Sequence, residues 1–141
     1  MNQRPASTHN STLLFLMLLY GAASLLHFGH NAVYLHEYPN LPEWLTSEAV
    51  WVSWCGIAAV GALGYWLYLR VSRWAGLATI SLYGACGLAG LDHYTVAPMG
   101  AHSFVMNLTI LTEAAAAAAL LVFVAHSMLL TRRPARLRFD D

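Results

Sequence analysis

Four long, mostly apolar stretches constrain this chain more than any other feature, because each is long enough to cross a bilayer. A membrane-spanning helix needs about 20 mostly apolar residues. The stretches run from Leu13 to Leu35, Ala49 to Leu69, Trp74 to Leu91 and Phe104 to Leu130. Inside lipid every backbone N–H and C=O must be satisfied by the protein itself, which a helix does within one segment. The expectation is an all-α integral membrane protein. It would be a single transmembrane domain over residues 1–141, with helices at about 11–37, 47–70, 73–93 and 101–131. Composition argues against a soluble alternative: 10% of the 141 residues are charged, where a soluble domain carries about 25%. The chain has no lysine, and its net charge is zero. Nothing therefore favours nucleic acid as a partner, and no motif points to a nucleotide.

The connectors are short and carry helix breakers. Tyr38-Pro39-Asn40-Leu41-Pro42-Glu43-Trp44 separates the first two helices, with Thr46 or Ser47 suited to cap the second. Arg70-Val71-Ser72-Arg73 is a tight basic turn, and Thr95 to Gly100 breaks the chain before the last helix. Short connectors make successive helices antiparallel, so a four-helix up-down-up-down bundle is expected. With an even number of spans, Arg4, Arg70, Arg73, Arg132, Arg133, Arg136 and Arg138 all fall on one side. Basic residues mark the cytoplasmic side, which would put both termini there. Glu37, Glu43, Glu48 and Asp92 then lie on the outer side, with Trp44, Trp51, Trp54 and Tyr94 as an outer aromatic belt and Trp66, Tyr68 and Trp74 as an inner one. Thr12 to Tyr20 followed by Gly21-Ala22-Ala23-Ser24 also resembles a signal-peptide core, but the apolar run continues to Val33, long enough to span.

The first helix carries a polar stripe. At about 100° per residue, Tyr20, Ser24, His27, His30, Asn31 and Tyr34 fall within a face of roughly 120°. Hydrocarbon cannot satisfy such groups, so they must look into the bundle. Any one of them alone could simply bond a neighbouring helix; two histidines and an asparagine on one face favour a site. In the last helix His102, Met106, Thr109 and Glu113 share a face, with Glu113 roughly 16 Å below His102 at the helical rise. An ionised carboxylate is expensive at that depth, so Glu113 is protonated or paired. His27 reaches a similar depth, and a His27–Glu113 contact follows. The run Ala114 to Ala119 and the glycines of helices two and three, among them Gly56, Gly61, Gly64, Gly84, Gly87 and Gly90, are read as close-packing residues without chemistry.

The third helix ends in Asp92-His93-Tyr94, and His102 follows soon after. The outer half thus gathers His27, His30, His93, His102, Asp92 and Glu113, with Cys55, Cys86, Met99 and Met106 as possible soft ligands. His36 reads as interfacial, and His9 and His126 as remote. Imidazole suits copper, zinc or iron, whereas magnesium and calcium prefer oxygen cages. The leading expectation is a transition-metal site, with His27, His30, His93 and His102 as ligands and Glu113 and Asp92 completing or supporting it. The metal would serve metal handling or a redox or hydrolytic step. Haem is an alternative cofactor, held by His30 with His93 or His102. A cofactor-free membrane enzyme acting on a lipid-like substrate is another, with Glu113 and His27 as the catalytic acid–base pair. A homo-oligomer, or an accessory subunit of a larger membrane complex, is the non-catalytic alternative. The inner halves of helices one and four are almost wholly apolar, so the pocket should open on one side only. That side would be the non-cytoplasmic face of a bacterial inner (plasma) membrane.

Overall fold

The computed structural model describes residues 5–131. Arg4, Arg132, Arg133, Arg136 and Arg138, five of the arginines behind the expected orientation, lie outside the described residues. The described residues form helices and no strand. In chain order these are α1 (Pro5–Val33), a 3-10 turn (Leu35–Glu37), α2 (Ser47–Arg70), α3 (Arg73–Leu88), a 3-10 segment (Ala89–Asp92), the short α4 (His93–Val96), a second 3-10 turn (Met99–Ala101) and α5 (Phe104–Thr131). Four segments are long and apolar enough to cross a membrane: Thr8–Val33, Ser47–Arg70, Arg73–Val96 and Phe104–Thr131.

The helix boundaries differ from the sequence expectation where local chemistry intervenes. α1 is already helical at Pro5, the first described residue, upstream of the expected start near residue 11. It ends at Val33 instead of running to 37, and the chain tightens into the 3-10 turn. Thr46 is the cap of α2, accepting a hydrogen bond from the Ala49 N–H at 3.2 Å. α3 ends as an α-helix at Leu88, short of 93, and continues as 3-10. The last helix starts at Phe104 rather than 101, so His102 belongs to the connector.

α2 packs on α3, α3 on α5, α5 on α1 and α1 on α2, closing a ring of four. Small residues let the backbones approach, the main source of helix association in lipid. A side chain at Gly87 would overlap Tyr20 and the Ala117 methyl, and one at Gly76 would overlap the backbone of Tyr68. Gly56 departs from the packing expectation, since a Cβ there meets nothing within 4 Å. Of the alanine run, Ala114, Ala116 and Ala117 are buried. One end of the bundle is filled by Leu13, Met17, Leu77, Ile80, Leu120 and Val124, with Tyr20 and Tyr83 in ring contact above them. Tyr68 belongs to this core at 6% exposure and is no belt residue: Arg73 donates to its hydroxyl, which donates to Asn10. Outside the bundle Phe15, Leu18, Leu26, Val52, Phe104 and Val122 are exposed, as a lipid-facing surface requires.

The connectors at the other end are pinned. Asn40 adopts a positive φ of 56°, which asparagine tolerates, and donates to the Val96 carbonyl at 2.9 Å. Ser47 donates to the Ala32 carbonyl at 2.7 Å, fixing the start of α2 to the end of α1. These ties fold the Tyr38 connector back over the bundle.

Candidate functional site

The α1 stripe faces inward as its spacing requires: Tyr20, Ser24, His27 and Asn31 are 0%, 1%, 2% and 9% exposed. Tyr34 departs from it. The helix stops one residue earlier, and Tyr34 turns outward at 44% exposure. Across from the stripe, α5 presents Met106, Thr109, Ile110 and Glu113, and Glu113 is 1% exposed. His27 Nε2 stands 3.7 Å from Glu113 Oε2, the contact expected from depth. Glu113 lies nine residues into α5, about 14 Å along the helix.

The hydrogen bonds suit one tautomer of His27. Thr109 donates its only hydroxyl proton to the Met106 carbonyl at 3.0 Å. With the hydroxyl proton on that carbonyl, the contact between Thr109 Oγ1 and His27 Nδ1 at 3.4 Å is one an Nδ1–H would make. In a neutral ring that leaves a lone pair on Nε2, aimed at Glu113. The same reasoning applies to His102, whose Nδ1 lies 3.1 Å from the Pro98 carbonyl, a group that only accepts. Its Nε2 is buried with no hydrogen-bond partner. His93 Nε2 receives the Asn31 amide at 3.3 Å.

These imidazoles form a file from the buried carboxyl outward. The His27 and His93 rings are 5.4 Å apart and the His93 and His102 rings 6.0 Å, both edge to face. Tyr38, absent from the sequence-derived site, sits at the centre of the file. Its ring lies 5.0 Å from His93 and 6.4 Å from His102, and its hydroxyl is 2.9 Å from His30 Nδ1. Burial pushes the Tyr38 phenol up to about 12, the Thr109 hydroxyl pulling the other way. The phenol therefore keeps its proton throughout the neutral range and can donate it to His30. His30 is half-buried, joined to the inner groups through Tyr38. Asp92 is exposed beside His93, within electrostatic reach of it. Cys86 lines the cleft next to His93, whereas Cys55 is exposed on the outside of α2 and takes no part. Met106 is buried, and Met99 is 49% exposed. His9 contacts Ser127 at 3.2 Å near the other end of the bundle, and His126 and His36 are exposed.

Tyr20 Oη, Ser24 Oγ, Asn31 Oδ1, His102 Nε2 and both Glu113 oxygens are buried without a hydrogen-bond partner. Ser24 nevertheless lies close enough to interact with both Tyr20 and Glu113, so these polar groups form one cluster. Among the described residues no group of three or more His, Cys, Asp or Glu side chains is arranged to hold a metal ion.

Gly90, read from sequence as a packing residue, forms the floor of the pair. A Cβ there would stand 3.1 Å from Glu113 Oε2 and 3.8 Å from His27 Nε2. Gly90→Ala should therefore displace the carboxyl by a few tenths of an ångström and leave the fold intact. Thermal unfolding within a few degrees of wild type, with ligand retention weakened at least severalfold, is the expected result. Unchanged retention would remove Gly90 from the site.

Comparison with known proteins finds no matching family model, no matching curated protein and no matching solved structure.

Proposed function

We propose that the chain is an acid–base membrane enzyme that holds the polar head of a lipid-like substrate at the His27–Glu113 pair. The observation that carries this reading is the 3.7 Å gap between two facing acceptors, the His27 Nε2 lone pair and Glu113 Oε2. Two buried acceptors repel unless a proton or a ligand stands between them. A protonated Glu113 supplies that proton, and a substrate oxygen between the two groups could take it while His27 Nε2 accepts another. Such a pair works as general acid and general base with no net change in protons. The cleft beside it, about 260 Å³ and lined by His27, Phe28, Asn31, Ile57, Gly90 and His93, gives a substrate head access from the side.

In this reading the bundle runs up-down-up-down, with the termini and the Arg70–Arg73 turn on the cytoplasmic side of a bacterial plasma membrane. The histidine file opens on the non-cytoplasmic side, among Glu37, Glu43 and Asp92. One observation favours a second reading, a copper, zinc or iron site on His27, His93, His102 and Glu113 with His30 and Asp92 in support. Two of these imidazoles anchor Nδ1 and leave Nε2 bare, as metal-ligating histidines commonly do. It requires the side chains to close further on the ion.

Native mass spectrometry with elemental analysis of the gently purified, never-chelated protein separates the readings. Expected is an adduct of lipid-like mass on the wild type, absent from His27→Phe and Glu113→Leu, without a stoichiometric metal. A metal near one per chain, lost in the same variants, would replace the acid–base reading with the metal one. A haem mass would select haem, and a co-purifying protein with no small ligand would point to an accessory subunit.

A further inference from the structure

The cleft beside His27 does not end at the polar groups. It meets at Ile57 a groove of about 350 Å³ between α1 and α2, walled by Leu18, Gly21, Ala22, Leu25, Trp54 and Ala58. That groove shares Met17, Leu18, Ala58 and Tyr83 with a third hollow of about 230 Å³ that reaches Leu14 and Gly61. From Asn31 at one end to Leu14 at the other is 17 residues of α1, about 26 Å at the helical rise. The hydrocarbon core is about 30 Å thick, so the three adjoining hollows together reach further than one leaflet is deep.

The groove exists because α2 packs more extensively on α3 than on α1. Only 17% of the α2 span is buried, against 33% to 39% for the other three. Gly21 and Ala22 on one wall, and Ala58, Gly61 and Ala62 on the other, keep it open and apolar.

The head end has a definite chemistry. Among the described residues no arginine lines the cleft or either hollow; Arg70 and Arg73 belong to the turn at the other end of α2. A phosphate or carboxylate head would thus meet Glu113 with no cation to offset it. What waits there are acceptors, His27 Nε2, Asn31 Oδ1 and the Glu113 oxygens, and the hydroxyl of Ser24, which lines the groove itself. A hydroxyl head donates to the acceptors and accepts from a protonated Glu113.

We infer that the ligand of this site is a single-tailed, long-chain alcohol, its uncharged hydroxyl between His27 and Glu113 and its tail along the α1–α2 groove past the bilayer midplane. The head placement rests on the acid–base reading above; the tail placement stands on the groove alone.

The test uses the full chain in nanodiscs with a diazirine-bearing octadecyl alcohol, photolysed and mapped by peptide mass spectrometry. Labels are expected on α1 around Leu18 to Leu25 and on α2 around Trp54 to Ala58. Excess unlabelled octadecanol should compete them away, whereas palmitate and phosphatidylglycerol should not. Ala22→Trp with Ala58→Trp should lower the labelling at least tenfold. Glu113→Leu should lower it severalfold through loss of the head. Groove labelling that ignores Glu113→Leu would uphold the tail assignment and overturn the head pair. Labelling that depends on Glu113 but ignores the two tryptophans would uphold the pair and overturn the groove. Equal competition by palmitate or phospholipid, or labels spread over all lipid-facing helices, would overturn the inference altogether.

Discussion

Gly76→Ala will push α2 away from α3 and lower the stability of the chain sharply. A Cβ at this position overlaps the backbone N and Cα of Tyr68, not the end of a side chain that could turn away. Overpacking a core usually costs ~1–3 kcal/mol, because neighbours shift rotamers to make room. Backbone cannot do so, and the tight turn through Val71 and Ser72 prevents α3 from sliding. The expected loss is therefore at the upper end, about 3 kcal/mol or more. Tyr68 also holds Asn10 and Arg73 through its hydroxyl, so its displacement loosens the end of α1 as well. Gly56→Ala is the matched control, since a methyl there meets nothing within 4 Å. Thermal unfolding in detergent, followed by circular dichroism, should show a large drop for Gly76→Ala and none for Gly56→Ala. Equal behaviour of the two would mean that the α2–α3 contact is not as close as the structure has it.

The same contrast shows what the sequence could and could not convey. Glycine frequency announces close helix packing, but not which glycine is touched; Gly56, Gly76 and Gly90 look alike in the chain and differ entirely in their surroundings. The spans were legible because hydropathy alone dictates them. The Tyr20, Ser24, His27, Asn31 stripe was legible because α1 keeps one pitch from Pro5 to Val33. Glu113 stood out as a lone carboxyl in an apolar run, and its depth alone pointed to His27.

The reading weakened wherever the pitch changed. A 3-10 segment turns about 120° per residue against about 100° for an α-helix. Over Ala89–Asp92 that difference amounts to roughly 80°, yet His93 still lines the cleft with Cys86. Tyr34 left the stripe because α1 ends at Val33, and His102 reached the site from a connector rather than from α5. Tyr38 was missed because its position depends on the positive φ at Asn40 and on the Asn40–Val96 bond, which no periodicity announces.

Glu113→Leu should abolish ligand retention and raise stability together. Both carboxyl oxygens are buried, with His27 Nε2 no nearer than 3.7 Å and the Ser24 hydroxyl beside them as further polar company. An unsatisfied buried polar group costs ~1–3 kcal/mol, and more if it is charged. Leucine fills similar space beside Gly90 and Tyr20 without that penalty, so a gain of about 1–3 kcal/mol is expected, seen as an unfolding midpoint several degrees higher. A residue that had been kept for packing would behave in the opposite way, and a lower midpoint for Glu113→Leu would assign the carboxyl to the architecture. Glu113→Gln separates shape from proton chemistry. The amide keeps the size and one acceptor, so it should hold a ligand weakly while losing any turnover. A chain that stabilises when its most deeply buried carboxyl is removed is carrying that group for its chemistry, since proteins tolerate such strain where function requires it.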